Sequence, residues 1–433
     1  MNRIRRTVVG IVATAMTLTL VACGVAQPQG STELADGPVT LRVTWWGGDT
    51  RHARTQEVFD LFEEKYPNIT VEPEFSDWTG YWEKLATATA GGNSADVIQM
   101  DQLYLSSYAS RGSLVDLGSL PQLDTSGLEQ PVLDMGAWGD ALYGMPISTT
   151  STGLLVNTDL IAEIGVPLPD TSTWDWAEFE AWAQKVTEKS SGDSFGTGII
   201  NNEFGLQLFA RQHEDQLFSE DDIVIQPETL AAFFQLALDW TSGGAAAPAS
   251  SQAESTGLAL DQTPFATGES AAVFTPSTMI TAYAAASGAE LELVQLPTPD
   301  EDTTNYDYFK PGMYWSVSSK SEHPGEAALL VDFLVNDPEA AKIIGTERGI
   351  PANARTLESL GQDLTPEERK AADFAEQREP HLGEAPAIVP NGASDIDTIL
   401  QRYLQEVMFE ELTPLEAANA MIAEVQSSTS AAK

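Results

Sequence analysis

The chain has 433 residues, of which 64 are acidic and 22 are lysine or arginine, giving a formal net charge of −42 at pH 7. An acidic surface of this size repels nucleic acid and anionic lipid headgroups, so neither is expected as a partner. The length suffices for two large domains, and the single cysteine, Cys23, excludes an intramolecular disulfide.

Residues 1–22 have the layout of an export signal. Three arginines precede an uncharged apolar run from Thr7 to Val21. The run is too short and too rich in threonine and alanine to predict a membrane span. It ends at Ala22-Cys23 and resembles a bacterial lipoprotein signal, in which the cysteine receives diacylglycerol and becomes the new N-terminus. An ordinary cleaved signal followed by an incidental cysteine is the alternative.

Lipidation at Cys23 predicts a protein held at the outer face of the cell membrane. Residues 23–37 are rich in glycine, glutamine, serine and proline and have no apolar face. This composition predicts a flexible tether between the lipid and a globular body.

The body begins with alternating strand and helix patterns. Apolar residues alternate with polar ones in the strands and recur at helical spacing between them. The predicted elements are a strand at Val39–Val43, a helix from about Thr50 that Asp49 or Thr50 can cap, a strand at Ile69–Val71, a helix at Trp78–Ala90 and a strand at Asp96–Met100. This order predicts an α/β fold with a doubly wound sheet.

The second half of the chain continues the pattern with different loops. A strand is predicted near Leu154–Val156, and a helix from Thr173 carries aromatic residues that we expect in the core. Further strands are predicted after Gly268 and at Leu291–Val294, and an amphipathic helix at Pro324–Leu334. The last hundred residues are predicted to be mainly helical.

Several segments occur in the order typical of one protein family. They are Trp45–Gly48, Phe62–Val71, Ala90–Ile98, Arg111–Leu117, Leu142–Pro146, Leu155–Leu160, Pro169–Trp174, Phe265–Ala271 and Gly349–Asn353. Taken together they resemble the extracellular solute-binding proteins of carbohydrate ABC importers (family 1, the maltose-binding-like group). The resemblance covers nearly the whole chain after the signal.

The resemblance implies a two-lobed periplasmic-binding-protein-like fold (class II), with doubly wound lobes joined by hinge crossovers. Ligand would bind in the cleft between the lobes, which close over it. The N-lobe would combine residues 38–147 and 298–344, and the C-lobe residues 148–297 and 345–433. Crossovers are expected near residues 148–152, 294–297 and 345–350.

Sugar recognition needs aromatic faces for the C–H surfaces of the rings and planar polar groups for the hydroxyls. By resemblance, the candidate ligand-binding residues are Trp45, Trp46, Asp49, Arg51, Trp78, Asp101, Asn202, Thr275, Ser277, Tyr314, Trp315 and Arg348. Trp315 is the strongest candidate for stacking on a sugar. Of Trp45 and Trp46, one should pack while the other lines the cleft. Asp49 could instead cap a helix, and Arg348 could form a hinge salt bridge.

Arg51 and His52 suggest an acidic ligand. Basic residues in the first turn of a helix oppose its dipole, and a uronate carboxylate would explain them. Alternatively, the pair forms ion pairs with Glu57 or Asp49.

No sequence motif predicts catalysis. With 64 acidic residues, a pairing of carboxylates carries no information about glycoside hydrolysis. The four histidines lack metal-binding spacing, and neither a Gly-x-Ser-x-Gly elbow nor a phosphate loop occurs. We therefore predict no catalytic residue, metal ligand or cofactor. A secreted carbohydrate-active hydrolase, a surface adhesin or lectin, and a binding protein for another small solute such as glycerol phosphate are the alternatives.

The sequence thus predicts a monomeric, non-enzymatic, membrane-anchored lipoprotein. It would capture an oligosaccharide by cleft closure and deliver it to the permease subunits of an ABC importer.

Overall fold

The computed structural model describes residues 30–300, 305–361 and 364–433, so the predicted signal peptide and Cys23 lie outside the described residues. In these ranges the strands are β1 Val39–Trp46, β2 Ile69–Ser76, β3 Val97–Met100, β4 Ala137–Trp138, β5 Ala141–Leu142, β6 Met145–Pro146, β7 Ser148–Thr150, β8 Thr152–Asn157, β9 Ala272–Pro276, β10 Leu291–Val294, β11 Lys310–Pro311, β12 Tyr314–Val317 and β13 Ile350–Pro351.

The helices in the same ranges are α1 Asp49–Lys65, α2 Trp78–Ala90, α3 Gln102–Ser110, α4 Gln130–Asp134, α5 Thr158–Ile164, α6 Trp176–Lys189, α7 Glu203–Gln212, α8 Pro227–Gly243, α9 Ala249–Ser255, α10 Ile280–Ser287, α11 Pro324–Asn336, α12 Pro338–Ile344, α13 Ala354–Leu360, α14 Pro366–Arg378, α15 Ile396–Met408 and α16 Pro414–Ala432. Among the described residues, no helix is both long and apolar enough to cross a membrane.

The first sheet has the strand order β2-β1-β3-β12-β6. β1 is parallel to β2 and β3, and α1 and α2 connect these strands, as the alternating sequence pattern predicts. β12 returns from far along the chain and is antiparallel to β3 and β6. The buried side chains on this sheet and its helices form one apolar core, which we call the N-lobe core.

The second sheet has the order β10-β8-β9, and β8 is antiparallel to both neighbours. β8 enters this lobe from the hinge, and the parallel bridges Phe195–Ser270 and Thr197–Ala246 continue the sheet beyond β9. Its core, the C-lobe core, is mainly helical and contains the aromatic residues of α6, with Phe179 and Trp182 buried as expected. The α/β class and the two-lobed architecture agree with the fold implied by the sequence.

Three short strands in the order β11-β7-β13 join the two cores and form the hinge sheet. Both outer strands are antiparallel to β7. Gly349, just before β13, has φ +105°, and a Cβ atom there would lie 2.8 Å from Ser148 Oγ. Only glycine satisfies both conditions, so the close approach of β7 and β13 requires it.

The lobe limits differ from the predicted ones in two places. Tyr306 and Tyr308 pack in the C-lobe core, so the chain enters the N-lobe core from Met313 rather than from residue 298. The middle crossover is accordingly β11, not residues 294–297. α13 lies against α12 and α11 of the N-lobe, although the prediction assigned it to the C-lobe. Short-range sequence patterns do not show which core a connecting segment packs against.

The described part of the predicted tether lies against the N-lobe. Residues 30–37 contain no helix or strand, but the Ala35 N–H donates to Glu326 Oε1 at 2.5 Å. Gln122 Nε2 donates to the Thr32 carbonyl at 2.6 Å. Residues 32–35 of the predicted tether are therefore held against the N-lobe.

A buried ion pair fixes the segment that leads into β11. Arg378 Nε at the end of α14 lies 2.8 Å from Asp307 Oδ2, and the two side chains are 6% and 3% exposed. Burial raises the pKa of Asp307, and the Arg378 guanidinium opposes that rise.

Replacing Arg378 by Gln should lower the free energy of unfolding by about 3–5 kcal/mol, because it leaves the Asp307 carboxylate buried without its counter-ion. Chemical denaturation followed by circular dichroism measures this. The matched control is Arg402→Gln, which breaks a half-exposed pair with Glu424 and should cost less than about 1 kcal/mol. Equal losses of unfolding free energy in the two variants would contradict the description of Arg378–Asp307 as a buried ion pair.

Candidate functional site

A cavity of about 790 Å³ lies beside the hinge sheet. Its walls come from both sides of the hinge and include Thr50, Arg51, Arg54, Asp101, Thr150, Asn202, Glu203, Phe204, Pro276, Thr278, Lys310, Met313, Thr346, Glu347, Arg348, Glu368 and Asp397. The volume is within the range of small-molecule sites. The cavity thus meets the size requirement for a ligand of several hundred daltons.

Several helices begin at this cavity, among them α1, α3, α7 and α15. Asp101 caps α3 by accepting the Leu103 N–H at 2.9 Å, and Asn202 caps α7 by accepting the Gly205 N–H at 2.9 Å. The first turn of a helix has N–H groups without intrahelical partners and a partial positive charge. The walls therefore favour ligand oxygen atoms.

One end of the cavity holds a lysine among three carboxylates, which we call the acidic end. Lys310 Nζ lies 3.1 Å from Glu203 Oε2 and 5.1 Å from the centre of the Phe204 ring. The Glu203 N–H donates to Asp397 Oδ1 at 2.6 Å. Asp101 is the third carboxylate of the group.

The charges at the acidic end shift one another's pKa values. Burial lowers the pKa of Lys310, but the carboxylates of Glu203, Asp101 and Asp397 outweigh it and leave that pKa raised. Burial, reinforced by the Glu203 carboxylate, raises the pKa of Asp397 from its ordinary value of 3.8 to about 6. Burial also raises the pKa of Asp101. This end therefore holds an excess of negative charge at neutral pH and can accept hydrogen bonds from ligand hydroxyls.

The other end of the cavity holds three arginines, Arg51, Arg54 and Arg348, and we call it the basic end. Arg51 Nε lies 3.0 and 2.9 Å from the two carboxylate oxygens of Glu347. Arg54 Nη1 donates to the Ile344 carbonyl at 2.7 Å. Arg348 is 3% exposed and lies over the Trp315 ring, with its guanidinium carbon 5.4 Å from the ring centre.

An aromatic cluster lies where the parallel strands of the N-lobe end. Trp46 ends β1, Trp78 follows β2, and Tyr104 follows β3 and the cavity residue Asp101. The Trp46 and Trp78 ring centres are 5.0 Å apart, and Trp82 stacks on Tyr104 at 3.8 Å. Trp78 is 40% exposed. In open α/β sheets, ligands bind at the carboxyl ends of the strands, which is the position of this cluster.

Several predicted site residues lie in the cores. Trp45 is fully buried against Phe59 and Phe75, and Trp46 also belongs to the N-lobe core with 8% of its surface exposed, so neither adjacent tryptophan is open in this conformation. Trp315 and Tyr314 belong to the central strand β12 and are 1% and 0% exposed, and the Tyr314 hydroxyl donates to the Met135 carbonyl. The expectation that Trp315 offers an open stacking face is therefore wrong for this conformation.

Other predictions for the site are also corrected. Asp49 is exposed and does not cap α1, whose N-cap is Gly48. Thr275 pairs with Gly153 within the second sheet, and Ser277 is 1% exposed and lies behind the cavity wall. Neither residue lines the cavity, whereas their neighbours Pro276 and Thr278 do.

The cation that suggested an acidic ligand is already paired. Arg51 binds Glu347, a residue 296 positions away, rather than Glu57 or Asp49. His52 stacks on Phe75 and accepts a hydrogen bond from Trp45 Nε1, and burial lowers its pKa. His52 is therefore neutral at pH 7 and does not line the cavity.

Sequence reasoning missed Lys310, Asp397, Glu347 and Arg54. Lys310 is a lone lysine in the aromatic segment 306–315, and that isolation was the only available signal. The carboxylates are indistinguishable from the other acidic residues by sequence alone. Among the described residues, no group of three or more acidic, histidine or cysteine side chains has the arrangement of a metal site.

Comparisons with known proteins point to one family. The family described as bacterial extracellular solute-binding protein matches residues 57–367. An uncharacterised lipoprotein of Streptomyces antibioticus is 30% identical over 187 residues, a match that spans 42% of this chain and 40% of that protein. The match thus covers about two fifths of the relative's own length.

Solved structures with the same fold cover 91% of this chain and 99% of their own. A periplasmic solute-binding protein from Pectobacterium atrosepticum has TM-score 0.79 at 21% identity. An oligogalacturonide-binding protein from Yersinia enterocolitica, in complex with saturated digalacturonic acid, has TM-score 0.76 at 24% identity. An ABC substrate-binding protein from Listeria monocytogenes, in complex with cycloalternan, has TM-score 0.75 at 22% identity.

The raised pKa of Asp397 predicts a pH-dependent stability. The pKa of Asp397 is about 6 in the folded state and about 3.8 in the unfolded chain. The resulting stabilisation of the fold is therefore fully present when the pH is below 3.8. That contribution is lost as pH rises through 6, by roughly 1–3 kcal/mol. Asp397→Asn should therefore gain stability relative to the parent protein between pH 4 and pH 7, measured by urea unfolding.

Asp170→Asn is the control for this pH series. Asp170 is an exposed loop residue whose pKa is lowered by hydrogen bonds from Ser172, so its replacement should not reproduce the gain. A constant stability difference between Asp397→Asn and the parent protein across this pH range would show that the pKa of Asp397 is not raised by folding.

Proposed function

The chain belongs to the bacterial extracellular solute-binding protein family, and on that premise we propose that it captures an oligosaccharide in the hinge cavity and delivers it to an ABC importer. The cavity that lies at the hinge and has walls from both lobes carries this proposal. A ligand in that position contacts both walls only when the lobes are closed. It therefore binds the closed state more tightly and shifts the population toward it.

The aromatic cluster supports an oligosaccharide as the cargo. Asp101 lines the cavity, and Tyr104, in the first turn of α3, contacts Trp82 and Trp78 of the cluster. An extended sugar chain could thus place its hydroxyls in the polar cavity and a ring on the exposed part of Trp78. Two of the similar structures hold oligosaccharides, which agrees with this class of ligand.

We assign ligand contacts to residues that line the cavity or the cluster. They are Trp46, Arg51, Trp78, Asp101, Asn202 and Arg348 from the sequence prediction, with Glu203, Lys310 and Thr278 in addition. No chemical step is assigned to them. The family and the similar structures named above are binding proteins, which favours capture over hydrolysis.

The proposed setting is the outer face of the cell membrane. Cys23 would carry the lipid, and the relative named as a lipoprotein supports this anchoring. The protein would act as a monomer and pass its ligand to two permease subunits driven by cytoplasmic ATPases.

Trp78→Ala should weaken oligosaccharide binding about tenfold or more, because it removes the exposed stacking face. The affinity is measured by isothermal titration calorimetry, with ligands first found by thermal shift in a panel of neutral and acidic oligosaccharides. The melting temperature without ligand should change little, because Trp78 is 40% exposed.

Phe409→Ala is the matched control for Trp78→Ala. Phe409 is 49% exposed at the end of α15, outside the cavity lining, so its replacement should leave the affinity unchanged. Failure of every oligosaccharide in the panel to bind the parent protein would refute the proposed function.

Cys23→Ser should release the protein from the membrane, because the serine hydroxyl cannot receive the thioether-linked lipid. Fractionation of producing cells, with metabolic labelling by a radioactive fatty acid, measures this. Labelled, membrane-bound protein in the Cys23→Ser variant would contradict the anchoring site.

A further inference from the structure

The basic end of the cavity has more positive than negative charge. Arg51, Arg54 and Arg348 line it together with two carboxylates, those of Glu347 and Glu368. Glu347 lies 2.9 Å from Arg51 Nε but 3.9 Å from Arg348 Nη1, so one carboxylate is shared between two guanidinium groups. The Glu368 carboxylate accepts hydrogen bonds from Thr346 and from the Thr365 N–H. The basic end therefore lacks one negative charge.

Among the three arginines, Arg348 is the one most affected by the missing negative charge. Its side chain is 1% exposed, and its Nε and Nη2 donate to Gln99 Oε1 and Thr55 Oγ1 at 3.2 and 2.8 Å. Its Nη1 is buried, and no acceptor within hydrogen-bond distance occurs in the described part of the chain. A buried guanidinium without full pairing is costly, and structures normally pair it. Arg348 is part of the cavity wall, so an anion bound in the cavity would supply the missing negative charge beside it.

The burial and the like charge of Arg51 lower the pKa of Arg348 to about 9. The guanidinium still carries its charge at neutral pH, and an anion beside it would restore its usual pKa. A guanidinium binds carboxylates and phosphates more strongly than neutral hydroxyls, because both partners of the hydrogen bond are charged.

We propose that the captured oligosaccharide is acidic and that one of its anionic groups binds at the basic end, between Arg348 and Arg54 and beside Arg51. This inference rests on the proposed function and names its ligand class. A uronate carboxylate is the anionic group that an oligosaccharide most simply provides. The anchoring cation is Arg348, with Arg54 completing the pair, whereas the sequence had suggested Arg51 and His52.

The acidic end sets the direction of the ligand. Glu203, Asp101 and Asp397 surround the single ammonium group of Lys310, so an anionic group is repelled there. The hydroxyls of the sugar chain, which donate hydrogen bonds, suit these carboxylates. The cavity thus favours the orientation that places the anionic group of the oligosaccharide beside the arginines.

The test compares each acid with its neutral methyl ester, which has nearly the same shape. The probes are di- and trisaccharides of galacturonate, glucuronate and mannuronate, their methyl esters, and glycerol 3-phosphate, titrated by calorimetry into the full mature chain. The acid should bind at least about tenfold more tightly than its ester, and the ratio should fall as salt is raised.

Two variants change the ratio in opposite directions. Arg54→Gln should reduce the preference for acid over ester about tenfold, and Glu347→Gln should raise it, because it frees Arg51 and removes a repelling carboxylate. The ratio within one variant is independent of the variant's stability, so partial destabilisation does not obscure the result. Arg402→Gln, which lies on α15 and pairs with Glu424, is the control and should leave the ratio unchanged.

Equal or tighter binding of the esters would overturn the acidic-ligand inference and leave the oligosaccharide assignment intact. An acid preference that neither Arg54→Gln nor Glu347→Gln alters would overturn the placement at the basic end. Binding of glycerol 3-phosphate alone, lost in Arg54→Gln, would support the anion site and overturn the oligosaccharide assignment. If none of the probes binds, both the acidic-ligand inference and the oligosaccharide assignment are overturned.

Discussion

The packing of the three hinge strands controls the position of everything that faces the cavity. The Ser148 hydroxyl donates to the Arg348 carbonyl, and the Gly312 N–H donates to the Ser148 carbonyl at 3.0 Å. Cβ atoms at Gly312 or Gly349 would lie 2.6 or 2.8 Å from Ser148 Oγ, so the strands approach as closely as glycine allows. Lys310 is the first residue of β11, and Arg348 lies two residues before β13. A rotation at this sheet therefore changes the distance between the acidic end and the basic end of the cavity.

The second constraint is electrostatic. The two ends of the cavity hold an excess of charge of opposite sign, and neither end is neutralised within the described part of the chain. In a buried site such charges interact more strongly than on the surface, since water screens them less. An empty cavity of this kind is less stable than a filled one. A ligand that matches both ends adds its binding energy to closure, which is the coupling that a capture protein needs.

Sequence patterns predicted the fold class and many of the elements, but not the lobe limits or the site. α2 begins at Trp78 and ends at Ala90 as predicted, because capping and helical periodicity are local properties. Trp315 shows the limit: in the sequence it is an aromatic residue after a glycine-containing turn, but β12 pairs with β3 and β6 in the middle of a sheet. Whether an aromatic ring is covered depends on neighbours that are distant in sequence, and no local signal reports them.

The sequence by itself determined the α/β alternation and the family, since these follow from periodicity and the order of short motifs, and it predicts the export signal with its cysteine. Only the tertiary structure decided which tryptophan is exposed and which charges meet. Glu203 and Lys310 are 107 residues apart, and Arg51 and Glu347 are 296 apart. Among 64 acidic residues, the few that lie at the cavity are selected by how the two lobes fold back onto the hinge, because charge pairing depends on distance in space.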